Sequence, residues 1–359
     1  MTTSRSIAGS TALALLVAAG LTAGPAARQA ATTDFAAAVK ERVAAGRNTG
    51  IVAATIDESG AIRTYVAGRA GPGAKPLDAD SVFEIGSITK VFTSTILADM
   101  VVKGEVSLDD PVAKFLPPSA RIPSRDGRAI TLIDLATHTS GLPRLPSNFR
   151  PKDPQNPYAD YTPEQLYDFL SGYTLPRAIG AQFEYSNLGV GLLGHALARR
   201  ADVTYESLVT SRVLAPLGMT HTGIALTPWM KDHLVRGHDA AGRPVANWDI
   251  QTLEGAGALR STLTDMLLFA RASLDPSHTP NLSRALALTH ERRRDAVPPA
   301  SIGLGWLIRP VDGGQVLWHN GGTAGYRTWI GVNAAKGRAA VVLTNSSQGA
   351  DDLGFDLLK

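Results

Sequence analysis

Ser87 and Lys90 stand three residues apart in the segment Ser87-Ile88-Thr89-Lys90. On a helix such a pair shares one face, so the Lys amine can reach the Ser hydroxyl. A buried Lys near the positive end of a helix has a lowered pKa and can accept the hydroxyl proton. The pair is therefore a candidate for covalent catalysis, with Ser87 as the nucleophile and Lys90 as its base. By itself, the pattern is equally typical of a helix that begins with Ser and carries an exposed Lys.

Two further segments carry side chains suited to the same chemistry. Tyr185-Ser186-Asn187 precedes a predicted helix over 188–200, where a phenol and an amide can project into a cleft. His319-Asn320-Gly321-Gly322 ends a predicted strand, and its two Gly residues allow the backbone to approach a ligand closely. Each segment also has a plain structural reading, as a packed core Tyr and as a turn that contains Gly. We expect the three segments to meet in one active site.

The composition excludes several other kinds of chemistry. The chain has no Cys, which excludes thiol nucleophiles, iron–sulfur clusters, disulfides and a lipid anchor on Cys. It contains neither Gly-x-Ser-x-Gly nor His-Glu-x-x-His, and its eight His residues are scattered. We therefore expect no metal and no cofactor. The net charge of +3 and the absence of a basic run predict that nucleic acid is not a partner.

Predicted strands lie at both ends of the chain and predicted helices lie between them. A hairpin is predicted over 50–68, and further strands are predicted over 315–319, 327–332 and 339–344. Residues 130–295 are mostly helical in pattern, and a final helix begins near Asp351. We predict an α/β (α+β) fold, with an antiparallel sheet built from both termini, flanking helices and a mostly helical insertion. The sheet domain would comprise 35–85 and 300–359, and the helical domain 86–299, with the active site at their interface.

The N-terminus predicts export. Arg5 is the only charged residue before an apolar run over 7–21, and small residues follow at 23–27. This order is typical of a secretory signal peptide, here residues 1–26, with cleavage near Ala26. An uncleaved anchor is the alternative, but the apolar run is short for a membrane-spanning helix. We therefore expect a periplasmic or secreted monomer whose mature chain has no membrane span.

The motifs together resemble the serine β-lactamase and penicillin-binding protein superfamily, specifically its class C-like branch. That branch contains class C β-lactamases, D-Ala-D-Ala carboxypeptidases, D-aminopeptidases and β-lactamase-like carboxylesterases. The resemblance covers about residues 35–358 and implies a β-lactamase/transpeptidase-like fold. It rests on the segments 83–90 (FEIGSITK), 104–111 (GEVSLDDP), 135–143 (LATHTSGLP), 185–189 (YSNLG), 216–219 (PLGM) and 319–322 (HNGG).

The resemblance also implies roles for individual residues. Ser87 would be the acylated nucleophile, Lys90 its base, and Tyr185 the group that passes the proton to the leaving group. Asn187 would hold the substrate amide, and the amides of Ser87 and Gly322 would form the oxyanion hole. His319, Asn320 and Gly321 would form the substrate-binding strand.

One motif departs from the class C pattern, which has Lys-Thr-Gly where this chain has His319-Asn320-Gly321. A Lys supplies a permanent positive charge for a substrate carboxylate, whereas His is mostly neutral at pH 7. His-x-Gly occurs in the peptidase and esterase members of the branch. If His319 supplied charge, carboxylate binding would weaken as the pH rises from about 5.5 to about 7.5. Arg144 and Arg150 are candidates for the missing cation, and His138 is predicted to be structural.

The predicted function is that of an exported serine hydrolase with an acyl-enzyme on Ser87. Its substrates would be small molecules or peptides, namely β-lactams or D-Ala-type cell-wall peptides. The alternative is a β-lactamase-like carboxylesterase that acts on short acyl esters. A penicillin-sensing module is disfavoured, because such sensors sit beside a membrane-spanning signalling region and none is predicted here.

Overall fold

The computed structural model describes residues 25–71 and 74–359, with side chains from Phe35 onward. The predicted signal peptide, 1–26, therefore lies outside the described residues, except for the two residues that begin the first helix, Pro25 and Ala26. Within the described part of the chain, no helix is both long and apolar enough to cross a membrane.

Eight strands form one antiparallel sheet in the order β2-β1-β12-β11-β10-β9-β8-β7. The N-terminal hairpin joins the C-terminal strands directly, because Ile51 pairs with Thr344. Four short strands form two small sheets, β3 with β6 and β4 with β5. The strands are β1 Gly50–Ile56, β2 Ile62–Gly68, β3 Phe83–Glu84, β4 Ser124–Arg125, β5 Arg128–Ala129, β6 Arg260–Ser261, β7 Arg294–Asp295, β8 Ser301–Ile302, β9 Leu307–Val311, β10 Gly314–Gly322, β11 Arg327–Asn333 and β12 Arg338–Thr344.

The helices lie at both ends of the chain and throughout its middle. They are α1 Pro25–Ala44, α2 Thr89–Val102, α3 Leu132–Ala136, α4 Pro163–Gly172, α5 Asn187–Ala201, α6 Tyr205–Val209, α7 Ala215–Leu217, α8 Pro228–His233, α9 Leu263–Leu274, α10 Ser283–His290 and α11 Asp351–Leu357.

Successive side chains of each strand point to opposite faces of the sheet. Helices cover both faces, so the fold has three layers. On β1, Ile51 and Ala53 pack in an apolar cluster with residues of α1 and α11. The residues that alternate with them, Val52 and Ala54, belong to the larger core on the opposite face, which includes α2, α5 and α9. The helical middle of the chain therefore packs against one face only, and the site described below lies at this junction.

The predicted arrangement of one antiparallel sheet from both chain ends, with helices between, is observed. The helix predicted over 188–200 is α5, which begins and ends one residue outside that range. Helix α1 also lies outside the predicted elements, because it is rich in Ala and, from Phe35 onward, its contribution to the apolar cluster comes from Phe35, Val39 and Val43. Strands β7 to β9 also lie outside the predicted elements, since they are at most five residues long and lack the alternation that marks a half-buried strand.

Candidate active site

Ser87 lies in a 3₁₀ turn, Gly86–Ile88, that leads into α2. The turn is held on two sides, because the Ile85 amide donates to Leu259 O at 3.1 Å and Thr328 Oγ1 donates to Ile85 O at 2.9 Å. Gly86 has a φ of +51°, and a Cβ there would lie 2.6 Å from the Gly322 nitrogen. Gly is therefore required at position 86, both for its backbone conformation and for the close approach of β10. The result is a partly exposed Ser between buried neighbours.

Lys90 is fully buried on the first turn of α2. Its Nζ lies 2.9 Å from Ser87 Oγ, 2.9 Å from Asn187 Oδ1 and 2.7 Å from Ala256 O. Burial, followed by the charge of Arg144, holds the pKa of Lys90 well below its ordinary value. A neutral amine has two N–H groups and one lone pair. Asn187 Oδ1 and Ala256 O can only accept hydrogen bonds, so each takes one N–H group of Lys90. The lone pair of the amine then faces the Ser87 hydroxyl.

Tyr185 lies beside Ser87, and its phenol interacts with the Ser87 side chain. Burial raises the pKa of Tyr185 to about 12, although the interaction with Ser87 partly opposes this shift. The phenol therefore keeps its proton at neutral pH. Lys90 Nζ lies 4.9 Å from the centre of the Tyr185 ring. This arrangement suits a base at Lys90 and a proton donor at Tyr185.

The N-terminus of helix α5 lies beside the Ser87–Lys90 pair. Ser186 caps the helix, because its Oγ accepts from the Gly189 amide at 2.8 Å and donates to Pro143 O at 2.6 Å. Asn187 Nδ2 donates to the Tyr158 hydroxyl at 3.4 Å, while its Oδ1 accepts from Lys90. The cap thereby orients Asn187 toward the cleft.

His138 supports the same segment from behind. Its Nδ1 accepts from the Ser186 amide at 3.1 Å, and its ring centre lies 4.5 Å from that of Tyr185. Burial, followed by the charges of Lys90, His319 and Arg144, holds the pKa of His138 well below its ordinary value. The neutral ring therefore packs against Tyr185 without a hydrogen bond to Ser87. This contact fits the structural role that the sequence predicted.

The strand motif contributes one side chain and two backbone positions to the site. His319 is buried, and its ring centre lies 6.3 Å from that of Tyr185. Gly321 lies against the segment that precedes Ser87, since a Cβ there would stand 1.9 Å from Ile85 O. Asn320 does not join the site with its side chain, because Nδ2 donates to Asp351 Oδ2 at 2.6 Å on the α11 side of the sheet. The structure thus brings His319 to the site and turns the Asn320 side chain away.

His319 does not carry the partial charge that its type predicted. Burial, followed by the positive charge of Lys90, lowers the pKa of His319 to about 3, and a hydrogen bond to Asn320 O only partly opposes this. His319 Nδ1 donates to that carbonyl at 2.6 Å. The imidazole is therefore neutral throughout the physiological pH range.

We expect carboxylate binding to be independent of His319 titration. With a pKa of about 3, His319 stays neutral when the pH rises from about 5.5 to about 7.5. The dissociation constant of an N-acyl-D-alanine, measured by calorimetry on a Ser87→Ala variant, should change by less than about twofold over that range. Loss of affinity by about tenfold in Ser87→Ala, absent in a Ser87→Ala/His319→Gln double variant, would contradict this expectation.

The cleft beside Ser87 is narrow, with a volume of about 20 Å³. Its wall includes Tyr158, Trp248, Ile250 and Thr323. Trp248 is held by its backbone, since its amide donates to Glu84 Oε1 at 2.8 Å and its carbonyl accepts from Arg260 at 2.8 Å. Among the residues that the structure describes, no carboxyl, Lys, Arg or His belongs to this lining.

Sequence reasoning missed most of this wall and also the Ala256 carbonyl. A backbone carbonyl has no sequence signature, and nothing in the sequence marks Trp248 or Ile250 as neighbours of Ser87. One available signal is the Pro-rich stretch 142–161, which carries the candidate cations Arg144 and Arg150 and supplies Tyr158. Arg150, in the same stretch, is exposed and donates to Phe149 O at 3.3 Å. Across 25–71 and 74–359, no group of three or more His, Asp or Glu side chains could hold a metal ion.

Comparison with known proteins gives a consistent result. The family model described as Beta-lactamase matches residues 35–357. A D-alanyl-D-alanine-carboxypeptidase/endopeptidase, AmpH, of Escherichia coli K12 is 31% identical, over 96% of this chain and 95% of its own. A beta-lactamase of Pseudomonas fluorescens is 27% identical, over 76% of this chain and 82% of its own.

The fold is also shared with a solved structure, a beta-lactamase/D-alanine carboxypeptidase from Pseudomonas syringae. It superposes with a TM-score of 0.80 at 21% identity, covering 92% of this chain and 98% of the other. The predicted fold class, β-lactamase/transpeptidase-like with an antiparallel sheet and helices, is thereby confirmed.

Proposed function

The chain belongs to the beta-lactamase family and is a serine hydrolase, and we propose that it is an exported, class C-like enzyme that forms an acyl-enzyme on Ser87. Its proposed substrates are D-Ala-terminated cell-wall peptides and β-lactams. We also propose that it acts as a monomer after cleavage of a signal peptide near Ala26.

The observation that carries the proposed mechanism is the set of partners around Lys90 Nζ. Two acceptors, Asn187 Oδ1 and Ala256 O, occupy the N–H groups, so the lone pair is aimed at the Ser87 hydroxyl at 2.9 Å. Burial keeps much more of this amine neutral than an exposed Lys would be at the same pH. These are the requirements for a general base, namely contact with the proton to be removed and a lowered pKa.

Acylation follows from these positions. Lys90 accepts the Ser87 proton while Oγ forms a bond to the substrate carbonyl carbon, and the carbonyl oxygen becomes an oxyanion. The amides of Ser87 and Gly322 are the proposed donors to that oxyanion. The bond from the carbonyl carbon to the leaving nitrogen then breaks, and Tyr185 donates its proton to that nitrogen. The proton held by Lys90 restores the phenol of Tyr185.

Deacylation reverses the proton path with water in place of the leaving group. Water enters beside Tyr185 and passes a proton to the Lys90–Tyr185 pair as its oxygen attacks the acyl carbon. The ester bond to Ser87 Oγ breaks, and the hydroxyl regains its proton from the same pair. Asn187 lies beside this path and is the proposed partner of the substrate amide.

The choice of substrates is supported by the relative of highest identity reported above. That relative is named a D-alanyl-D-alanine-carboxypeptidase/endopeptidase, and others are named beta-lactamases. A carboxylesterase on short acyl esters is the second candidate. It is favoured by the uncharged lining of the cleft and by the neutral His319.

The test compares three substrates on the same preparation of enzyme. D-Ala release from an N-acyl-D-Ala-D-Ala peptide, hydrolysis of a chromogenic cephalosporin and hydrolysis of p-nitrophenyl butyrate are each measured with wild type. We expect turnover of the peptide or the cephalosporin, with the ester also cleaved because its leaving group needs little help. Activity on the ester alone would contradict the proposed substrates and favour the esterase.

A further inference from the structure

Arg144 lies over the ring of Tyr185. The side chain is exposed, and its guanidinium carbon lies 5.2 Å from the centre of the Tyr185 ring. Among the described residues, its guanidinium forms no salt bridge and no hydrogen bond. An Arg that lies over a catalytic ring and forms no ion pair is available to bind an anion.

The backbone around Arg144 is tied to the catalytic segment. Arg144 O accepts from the Leu188 amide at 3.1 Å, and the preceding carbonyl, Pro143 O, accepts from Ser186 Oγ at 2.6 Å. These two bonds join the loop to both sides of Asn187. The backbone of Arg144 is therefore fixed in position relative to Tyr185 and Asn187.

Other cationic groups near Ser87 are already engaged. Lys90 is buried and serves as the proposed base, and His319 is neutral. Arg327 is half-buried, and its NH1 donates to the carbonyls of Thr323 and Tyr326 at 2.7 and 2.8 Å. The field of Arg144, by contrast, acts on Lys90, His138, Tyr158 and Tyr185.

We propose that Arg144 binds the free carboxylate of the substrate and makes the enzyme prefer carboxylate-bearing acyl compounds over neutral esters. This inference rests on the proposed function, because a carboxypeptidase substrate ends in a carboxylate next to the bond that is cleaved. The planar guanidinium can pair with both carboxylate oxygens, which a neutral His319 cannot do. Arg144 would thus be a specificity-determining residue that acts from above the Tyr185 ring, outside the narrow lining beside Ser87.

The test measures kcat/KM for a peptide and for a neutral ester in parallel. The variants are Arg144→Gln, Arg144→Lys and, as a matched control from the same loop, Arg150→Gln. The substrates are an N-acyl-D-Ala-D-Ala peptide and p-nitrophenyl butyrate. We expect Arg144→Gln to lower the peptide-to-ester ratio about 10- to 100-fold, chiefly through KM for the peptide. Arg144→Lys should recover part of the ratio, and Arg150→Gln should leave it unchanged.

The outcomes separate the inference from the proposed function. An unchanged ratio in Arg144→Gln, whether both rates fall together or neither falls, would overturn the role of Arg144 alone. Equal losses would mean that Arg144 acts through Lys90 or Tyr185 rather than on the carboxylate. Failure of wild type to cleave either the peptide or the chromogenic cephalosporin while it cleaves the ester would overturn the proposed substrates and the inference together. Circular dichroism and thermal melting of each variant exclude misfolding as the cause.

Discussion

A Ser87→Ala variant should form no acyl-enzyme and should lose at least about 10³-fold in kcat/KM on every substrate that wild type cleaves. The reason is that the Ser87 hydroxyl is the group that meets both Lys90 Nζ, at 2.9 Å, and the Tyr185 phenol. Without it, the base and the proton donor have no nucleophile between them. Only the slow attack of water positioned by the remaining site would be left.

Intact mass spectrometry after incubation with a penicillin or an active ester checks this prediction. Wild type should gain the mass of the acyl group, and Ser87→Ala should not. A suitable control is Ser94→Ala, because Ser94 is buried on the same helix, has no hydrogen-bond partner for its hydroxyl, and does not contact Ser87. An adduct that persists in Ser87→Ala, or no adduct in wild type with either reagent, would refute Ser87 as the nucleophile.

A Lys90→Met variant should lose about 10²- to 10⁴-fold in kcat/KM, the range expected for removal of a general base. Its free energy of unfolding should stay within about 1 kcal/mol of that of wild type, because two effects oppose each other. Removal of Lys90 leaves Asn187 Oδ1 and Ala256 O without their donor, which destabilises the variant. It also removes a fully buried amine whose lowered pKa shows that folding disfavours its charged form.

The pH dependence follows from the same shift in the pKa of Lys90. The active amine is neutral, so wild-type activity should be present above the folded-state pKa and should fall as the pH drops through it. For stability, the unfolded chain binds more protons than the native one between the two pKa values, so wild type gains stability as pH rises. Lys90→Met lacks this gain. Its free energy of unfolding relative to that of wild type should therefore be most favourable at low pH.

Kinetics across a pH series and thermal melting at two pH values are the measurements. Lys103→Met is the control, since Lys103 caps the other end of α2 and is half exposed. It should keep wild-type activity at all pH values. Activity of Lys90→Met within about threefold of wild type would contradict the role of Lys90 as the base.

Much of the site could be predicted because the relative positions of its residues depend on short stretches of sequence. The spacing of Ser87 and Lys90 places them on one turn of a helix wherever that helix packs. The capping position of Ser186 likewise orients Asn187 at the first turn of α5. Even the misplacement of Asn320 had a local signal, because neighbouring residues on a strand point to opposite faces. With His319 toward the site, the Asn320 side chain must face α11.

The sequence by itself determined the fold class and indicated the three segments that the structure brings together, and it supplied the proposed nucleophile and its proposed base, since motif spacing and periodicity carry that information. Only the tertiary structure decided their chemical state. Packing from distant parts of the chain buries Lys90 against the Ala256 carbonyl, makes His319 neutral and leaves Arg144 exposed over Tyr185. Burial and electrostatic partners depend on which remote segments meet, and no local pattern specifies them.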